Sequence, residues 1–353
     1  MSFRSDRAFC FHLVECRKPL FIKYRCKRGV YMKKLAFIFN PHAGRERLRP
    51  KVGDVIVEFA NAGYEVITAP TAKRGDAVEL AENFSMRADI DRIVCAGGDG
   101  TLDEVVTGVL SAEKKLGESF AGKLDMPIGY IPCGSTNDFG NTLKLPLDFV
   151  SAAKLAASGE ASPCDVGYIN DKVFVYTAAF GAFTEVSYDT PQQFKNVFGH
   201  MAYLVNAMGK FSTIKNYRMR VKCNNDEKQV YVDDFLLGMI ANSDSVGGIK
   251  GLAGKDVQLD DGLFELVMVR KHTNLNELTD TANAFLAGDI LSSPSILVKK
   301  VKCVDIELLD ETGLEELNWS LDGEFGGNMP KVHVEISKQA VNYVNKSTEI
   351  VEE

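Results

Sequence analysis

An α/β fold in two parts is predicted for this 353-residue sequence: an N-terminal three-layer α/β domain with a parallel sheet, then a C-terminal antiparallel β-sandwich. Three observations carry the prediction. A chain of this length exceeds one ordinary hydrophobic core, so two domains are the default. From Lys33 to about Ser158 strand-like and helix-like segments alternate with short connections, the pattern of a parallel sheet covered on both faces. After about Cys164 short alternating runs take over, as in antiparallel strands with one face buried.

In order, LAFIFN (35–40) reads as the first strand, followed by the polar NPHAGRERLRP and a helical stretch near 51–62. YEVITA (64–69) is the second strand and 74–86 the next helix. RIVCA (92–96) is the third strand. The helix after it carries Leu102, Val105, Val106, Val109 and Leu110 at i, i+3, i+4, i+7, i+8, a single apolar face. Thr101 with Glu104 three residues on has the capping-box pattern for its start. IGYIP (128–132) is the fourth strand, and FVSAAKLAASG closes the alternation with a helix. The later strand candidates are KVFVYTAAF, YRMRVKCN, QVYVDDFLLGMI, LFELVMVR, ILVKKVKCVDIELL and KVHVEIS, with helical islands at HMAYLVNAMGKF and NLNELTDTANAFLAG. The implied organisation is an extension 1–31 outside the fold, an α/β domain 32–160, a β-sandwich 161–335 and a segment 336–353 able to pack back on the first domain.

With 45% hydrophobic and 25% charged residues the composition is that of a soluble globular protein. No apolar run approaches the roughly 18–20 residues of a membrane span, so the chain is expected to touch a bilayer without crossing it. A net charge of −7 excludes nucleic acid as the main partner, which needs a basic footprint. The charge is uneven: residues 1–31 hold eight Arg/Lys against two acids, a local +6 that leaves −13 for the remainder. That segment precedes Met32-Lys33-Lys34, which looks like an ordinary start. It reads as an upstream extension, as a basic arm drawn to anionic lipid, or as a transit peptide rich in Arg but poor in Ser. The eight cysteines form no CxxC pair and have no His at metal-ligand spacing, so they read as reduced thiols in a cytosol. Cys95 and Cys133 read as small buried fillers.

Three polar, glycine-containing loops carry the chemistry. The third strand runs into Gly97-Gly98-Asp99-Gly100-Thr101, where glycines between a strand end and a helix start leave N–H groups outward and the helix dipole favours an anion. A phosphate chain fits there; so, for this loop alone, does a tight turn with no ligand. The first strand ends in Asn40-Pro41-His42-Ala43-Gly44 and the fourth in Cys133-Gly134-Ser135-Thr136-Asn137-Asp138. All three loops follow strands of one parallel sheet and therefore share its carboxyl edge, where open α/β sheets bind ligands. Together they predict a nucleotide site. GESFAGKL (117–124) only imitates a Walker motif, since Leu124 replaces the hydroxyl that would hold magnesium and a helix precedes it. Asp138-Phe139-Gly140 lacks the companion motifs of protein kinases.

The motifs NPHAG (40–44), TAKRGDA (71–77), GGDGTLDEVV (97–106), PCGSTNDFGNTLKLP (132–146), LDDGLFELV (259–267) and LDGEF (321–325) occur in that order. In this combination the sequence resembles the diacylglycerol kinase-like lipid kinases of bacteria, relatives of the eukaryotic sphingosine and diacylglycerol kinases, over roughly residues 32–350. The resemblance implies ATP in a cleft between the two domains, ringed by Asn40, Pro41, His42, Ala43, Gly44, Thr71, Gly97, Gly98, Asp99, Gly100, Thr101 and Ser135. Ser135 stands where members often have Thr and keeps the hydroxyl. By the same resemblance Asp99 and Asp138 join a water-linked network to Mg²⁺, a hard cation that prefers oxygen ligands. Glu324 of Asp322-Gly323-Glu324 is implied as the proton acceptor for a substrate alcohol. Asp260-Asp261-Gly262 is a turn signal on its own; the resemblance adds a structural Mg²⁺ on Asp261 with the backbone of Gln258 and Leu263.

The function these motifs imply is transfer of the γ-phosphoryl group of ATP to the hydroxyl of diacylglycerol, giving phosphatidate, by a cytoplasmic enzyme peripheral to the inner membrane face. Sphingoid bases, ceramide, monoacylglycerol and phosphatidylglycerol present comparable hydroxyls, and a homodimer stays open. The stretch from Phe180 to Phe211 falls where the family builds its acceptor pocket, yet Met201, Leu204, Val205 and Met208 equally make the core face of a helix. NAD kinase shares GGDGT, but GSTND argues against it; a nucleotide-binding regulator would not need Asp99, Asp138, Asp322 and Glu324.

Overall fold

The computed structural model describes residues 32–117, 125–181, 215–243, 245–246, 249–250, 257–309 and 316–347. The basic extension, the helix candidate at 200–211 and all but the start of the expected acceptor pocket lie outside them.

The first half builds β1 (Lys33–Phe39), α1 (Ala43–Glu46), α2 (Val52–Asn61), β2 (Tyr64–Pro70), α3 (Asp76–Ser85), β3 (Arg92–Gly97), α4 (Asp99–Leu116), β4 (Pro127–Pro132), α5 (Asp138–Thr142) and α6 (Phe149–Ser158). The four strands pair in parallel in the order β2-β1-β3-β4. β1, β3 and β4 are short apolar runs because both of their faces are covered, whereas β2, at the sheet edge, is only partly buried. Val55 and Phe59 of α2 and the alanines of α6 pack on one face; Ala77 and Ala81 of α3 with Leu102, Val105 and Val106 of α4 pack on the other. The three layers follow from the period-3.6 apolar stripes.

The second half is β5 (Glu160–Ile169), β6 (Lys172–Phe174), β7 (Thr177–Gly181), β8 (Tyr217–Cys223), β9 (Val230–Ala241), β10 (Ser245–Val246), β11 (Ile249–Lys250), β12 (Phe264–Arg270), α7 (Leu275–Leu286), β13 (Ile296–Val301), β14 (Cys303–Leu308), β15 (Asn318–Leu321), β16 (Glu324–Asn328) and β17 (Lys331–Lys346). Its strands pair antiparallel and enclose a core centred on Trp319, Phe174, Phe180 and Phe264. KVFVYTAAF is broken into β6 and β7, and ILVKKVKCVDIELL into β13 and β14.

KVHVEIS opens a strand that continues well past it. The amino half of β17 runs antiparallel to β14, and its carboxyl half lies parallel to β4, with Asn342 opposite Pro127. A break with Gln339 at φ +53° separates the halves. Asp165 of β5 fixes that break, its carboxylate accepting the N–H groups of Gln339 and Gly262, each at 2.6 Å. One strand thus joins the parallel sheet to the sandwich and sets how the two halves face each other. The five described cysteines carry free thiols.

Candidate active site

The loops after β1, β2, β3 and β4 meet at the carboxyl edge of the parallel sheet around a cavity of about 500 Å³, a size suited to a nucleotide. After β1, Asn40 makes an Asx turn, its Oδ1 accepting the His42 N–H at 2.9 Å. Gly44 has φ +57°, and a Cβ there would lie 1.9 Å from the Cys133 carbonyl oxygen. After β4, Asn137 sits at φ +52° and its Oδ1 accepts the Gly134 N–H at 2.7 Å. A Cβ on Gly134 would meet Gly98 Cα at 2.9 Å, so the two glycine loops touch back to back. The glycines therefore serve contact between loops as well as open N–H groups. Arg47 ties two of the loops, donating to the carbonyls of Gly44 at 3.2 Å and Gly134 at 3.5 Å.

Gly44→Ala combines a left-handed backbone with a clash against main chain. We expect it to weaken nucleotide binding about tenfold, from about 1–2 kcal/mol of conformational strain alone. Isothermal titration with ATP measures this; unchanged affinity would separate the loop from the nucleotide.

The α4 start differs from expectation. The helix begins at Asp99 with Gly98 as its N-cap, and Thr101 makes no side-chain cap. Glu104 is instead drawn across to the start of α3, where its carboxylate accepts the N–H groups of the N-cap Gly75 at 2.8 Å and of Ala77 in the first turn at 3.2 Å. Those otherwise unpaired donors of another segment outcompete a local cap. The loop's other shoulder is held by Asp76, which accepts the N–H groups of Ala72 and Lys73. Lys73 and Arg74 then stand on the cavity wall. Both lie inside TAKRGDA, yet only Thr71 of that motif was singled out by sequence; adjacent cations in a loop at a strand's carboxyl end were the missed signal.

Of the residues expected around a nucleotide, Asn40, His42, Ala43, Gly44, Thr71, Gly98, Gly100, Thr101 and Ser135 line the cavity. Pro41, Gly97 and Asp99 do not. Pro41 belongs to the Asx turn, and Gly97 is packed under the Thr101 side chain with its carbonyl accepting the Cys133 N–H. Glu324 reaches the cavity from the opposite half. It follows the two-residue Asp322-Gly323 turn, both residues at positive φ, that joins β15 to β16. A Cβ on Gly100 would lie 3.5 Å from Glu324 Oε1, so this carboxylate stands over the start of α4.

Beneath that point four aspartates converge. Asp99 accepts the Asp138 N–H at 3.1 Å and the Tyr130 hydroxyl at 3.3 Å. Burial, then the Asp138 charge, push its carboxyl up to about 7. The buried Asp322 accepts the N–H groups of Val175 at 2.6 Å and of Tyr176 and Thr177 at 2.9 Å. Burial outweighs those donors and raises its carboxyl to about 6. Its carboxylate is thus committed to anchoring the hairpin that presents Glu324. Asp103 shares a hydrogen bond with Asp322 and is pushed well above the usual carboxylate range by burial and the Asp322 charge. Asp103 Oδ1 is shielded from solvent and has no hydrogen-bond partner. Desolvated, mutually repelling oxygens with one left unsatisfied are the donor chemistry of a divalent cation, but among the described residues no three acidic, His or Cys side chains stand close enough together to ligate one by themselves.

The LDDG turn does not fit one in the same way. Asp261 Oδ1 accepts the Leu263 N–H at 2.9 Å, its Oδ2 faces Lys300 Nζ at 3.8 Å, and its carbonyl accepts from Lys338 Nζ at 3.2 Å. Gln258 and Leu263 belong to a turn to which two ammonium groups already supply positive charge. The structural Mg²⁺ implied on Asp261, Gln258 and Leu263 therefore gains no support from this turn.

Glycine loops at a sheet edge faced by a carboxylate-bearing hairpin are an arrangement suited to phosphoryl transfer, and comparison with known proteins supplies the class, lipid kinases. Residues 34–169 match the family profile "Diacylglycerol kinase catalytic domain", and residues 180–345 match "YegS C-terminal NAD kinase beta sandwich-like domain". The chain is 32% identical over 325 residues to a diacylglycerol kinase of Staphylococcus haemolyticus, covering 90% of this chain and 92% of that protein. It is 32% identical over 300 residues to a diacylglycerol kinase of Bacillus subtilis, covering 85% and 92%. Two crystal structures from Bacillus anthracis, each 23% identical, share the fold. One, with TM-score 0.72, covers 93% of this chain and 100% of that one. The other, of a diacylglycerol kinase, has TM-score 0.65 and covers 91% and 100%. The chain belongs to the diacylglycerol kinase-like family of lipid kinases, a kinship that implies ATP as phosphoryl donor. No described helix is long and apolar enough to cross a membrane.

Proposed function

We propose that the protein transfers the γ-phosphoryl group of ATP to the free hydroxyl of diacylglycerol, giving phosphatidate, at the inner face of the membrane. The observation that carries the reading is the Glu324 carboxylate poised over the glycine loop at the start of α4. The hydroxyl oxygen attacks the γ-phosphorus, the bond to the β,γ-bridging oxygen breaks, ADP leaves, and the hydroxyl proton passes to Glu324. The first-turn N–H groups of α4 receive phosphate oxygens, with Lys73 and Arg74 adding positive charge. Asp99, Asp103 and Asp138 would hold Mg²⁺, which when bound neutralises charge on the phosphates. Asp322 acts through the hairpin as a positioning residue. Phe325, 53% exposed beside Glu324, offers apolar surface to an acyl chain.

The test is phosphate transfer from radiolabelled ATP to a panel of lipids in mixed micelles, with NAD as a competing acceptor. Label in phosphatidate is expected. Label in another lipid would change the acceptor, label in NAD alone would replace the reading, and ATP binding with no transfer would leave a regulator.

A further inference from the structure

Arg74 is placed to do more than attract phosphate. Both shoulders of its loop are fixed, by Asp76 on one side and Glu104 on the other, so the guanidinium stands at the tip of a rigid support. From there it crosses the cavity to Glu324, Nη1 to Oε2 at 3.4 Å. The side chains are 74% and 56% exposed, and an ion pair so solvated is worth only about 0.2–1 kcal/mol. A guanidinium fork matches phosphate as well as it matches carboxylate, and a triphosphate carries more negative charge than one carboxylate. A cation paired to Glu324 occupies the same oxygens that would accept a proton.

We infer that Arg74 is shared, in competition, between Glu324 and the terminal phosphates of the nucleotide, so that nucleotide binding frees the Glu324 carboxylate for the acceptor hydroxyl. This rests on Glu324 as base and ATP as donor. It makes the order of events a property of one side chain: the base is released by the substrate that must be in place before it can act. Arg74 is then a positioning residue for both partners.

The experiment is titration of the full-length protein, without lipid, with the non-transferable analogue β,γ-methylene-ATP. Wild type, Glu324→Gln, Arg74→Met and the double variant are compared, with Arg74→Lys as the conservative change. Glu324→Gln should tighten binding about two- to fivefold, the factor expected for releasing an exposed ion pair. Arg74→Met should weaken binding and Arg74→Lys should restore part of it, while in lipid assays Arg74→Met raises the KM for ATP more than it lowers kcat. Adding Glu324→Gln to Arg74→Met should bring no further gain. A mere loss of negative charge would tighten binding in both backgrounds, and that result overturns the sharing, as does unchanged affinity in Glu324→Gln. Full lipid kinase turnover by Glu324→Gln would instead sink the underlying assignment of the base.

Discussion

Glu324→Ala is expected to lower turnover by about 10²–10⁴-fold, the range for loss of a positioned general base, while nucleotide affinity is kept or slightly improved. The expectation follows from where the carboxylate sits. It is exposed to the cavity and reaches over Gly100 from the far side of the cleft. Its tie to the loops at the sheet edge is the solvated ion pair with Arg74, whereas the loops are held in place by Arg47, Glu104 and, within its own loop, Asn137. Removing it therefore subtracts chemistry without loosening the nucleotide wall. The hairpin beneath it is fixed independently by Asp322, so the thermal midpoint should move little. Single-turnover transfer from radiolabelled ATP, with binding measured in parallel, checks both halves. A variant that retains wild-type turnover would move the base elsewhere; one that unfolds would say nothing about catalysis, and Glu324→Gln then serves in its place.

Much of this site was legible because its signals are local. Four apolar runs with glycine loops after three of them suffice to predict a parallel sheet with a ligand edge, and β1 to β4 follow that pattern. The unread part consists of contacts between segments distant in sequence. Thr101 and Glu104 have the spacing of a capping box, but Glu104 spends its oxygens on Gly75 and Ala77, donors that no local pattern places nearby. Asp165 sits in an unremarked CDVG and turns out to clamp the break in β17 to the LDDG turn. Asp261 reads in sequence as part of a turn, and only the fold brings Lys300 and Lys338 beside it. Asp103 looks like one more polar position on a helix; only the fold brings Asp322 against it. Local periodicity fixes where side chains point within an element, whereas electrostatic roles depend on which other element arrives.

Asp99→Asn should show the opposite of the usual link between activity and stability. The amide keeps an acceptor for the Asp138 N–H but removes a charge from the convergence of Asp99, Asp103, Asp138 and Asp322. Turnover is expected to fall by about 10²–10³-fold, the loss typical when one preorganised electrostatic group is removed. Stability in chelator should rise. Burial and the Asp138 charge lift the Asp99 carboxyl from 3.8 to about 7, so the folded protein binds this proton more tightly than the unfolded chain. The stability that proton supplies is complete below about pH 4 and is lost as pH rises through about 7. At pH 8 the wild-type protein therefore carries a desolvated charge that the variant lacks, and the variant should melt several degrees higher. At pH 5 most of that difference should disappear, because Asp99 is then mostly protonated. Thermal melts of both proteins in EDTA at the two pH values decide it. Equal midpoints at pH 8, or a variant destabilised at both, would mean that Asp99 is not held at the expense of the fold, and the case for a cation at this cluster would lose its energetic basis.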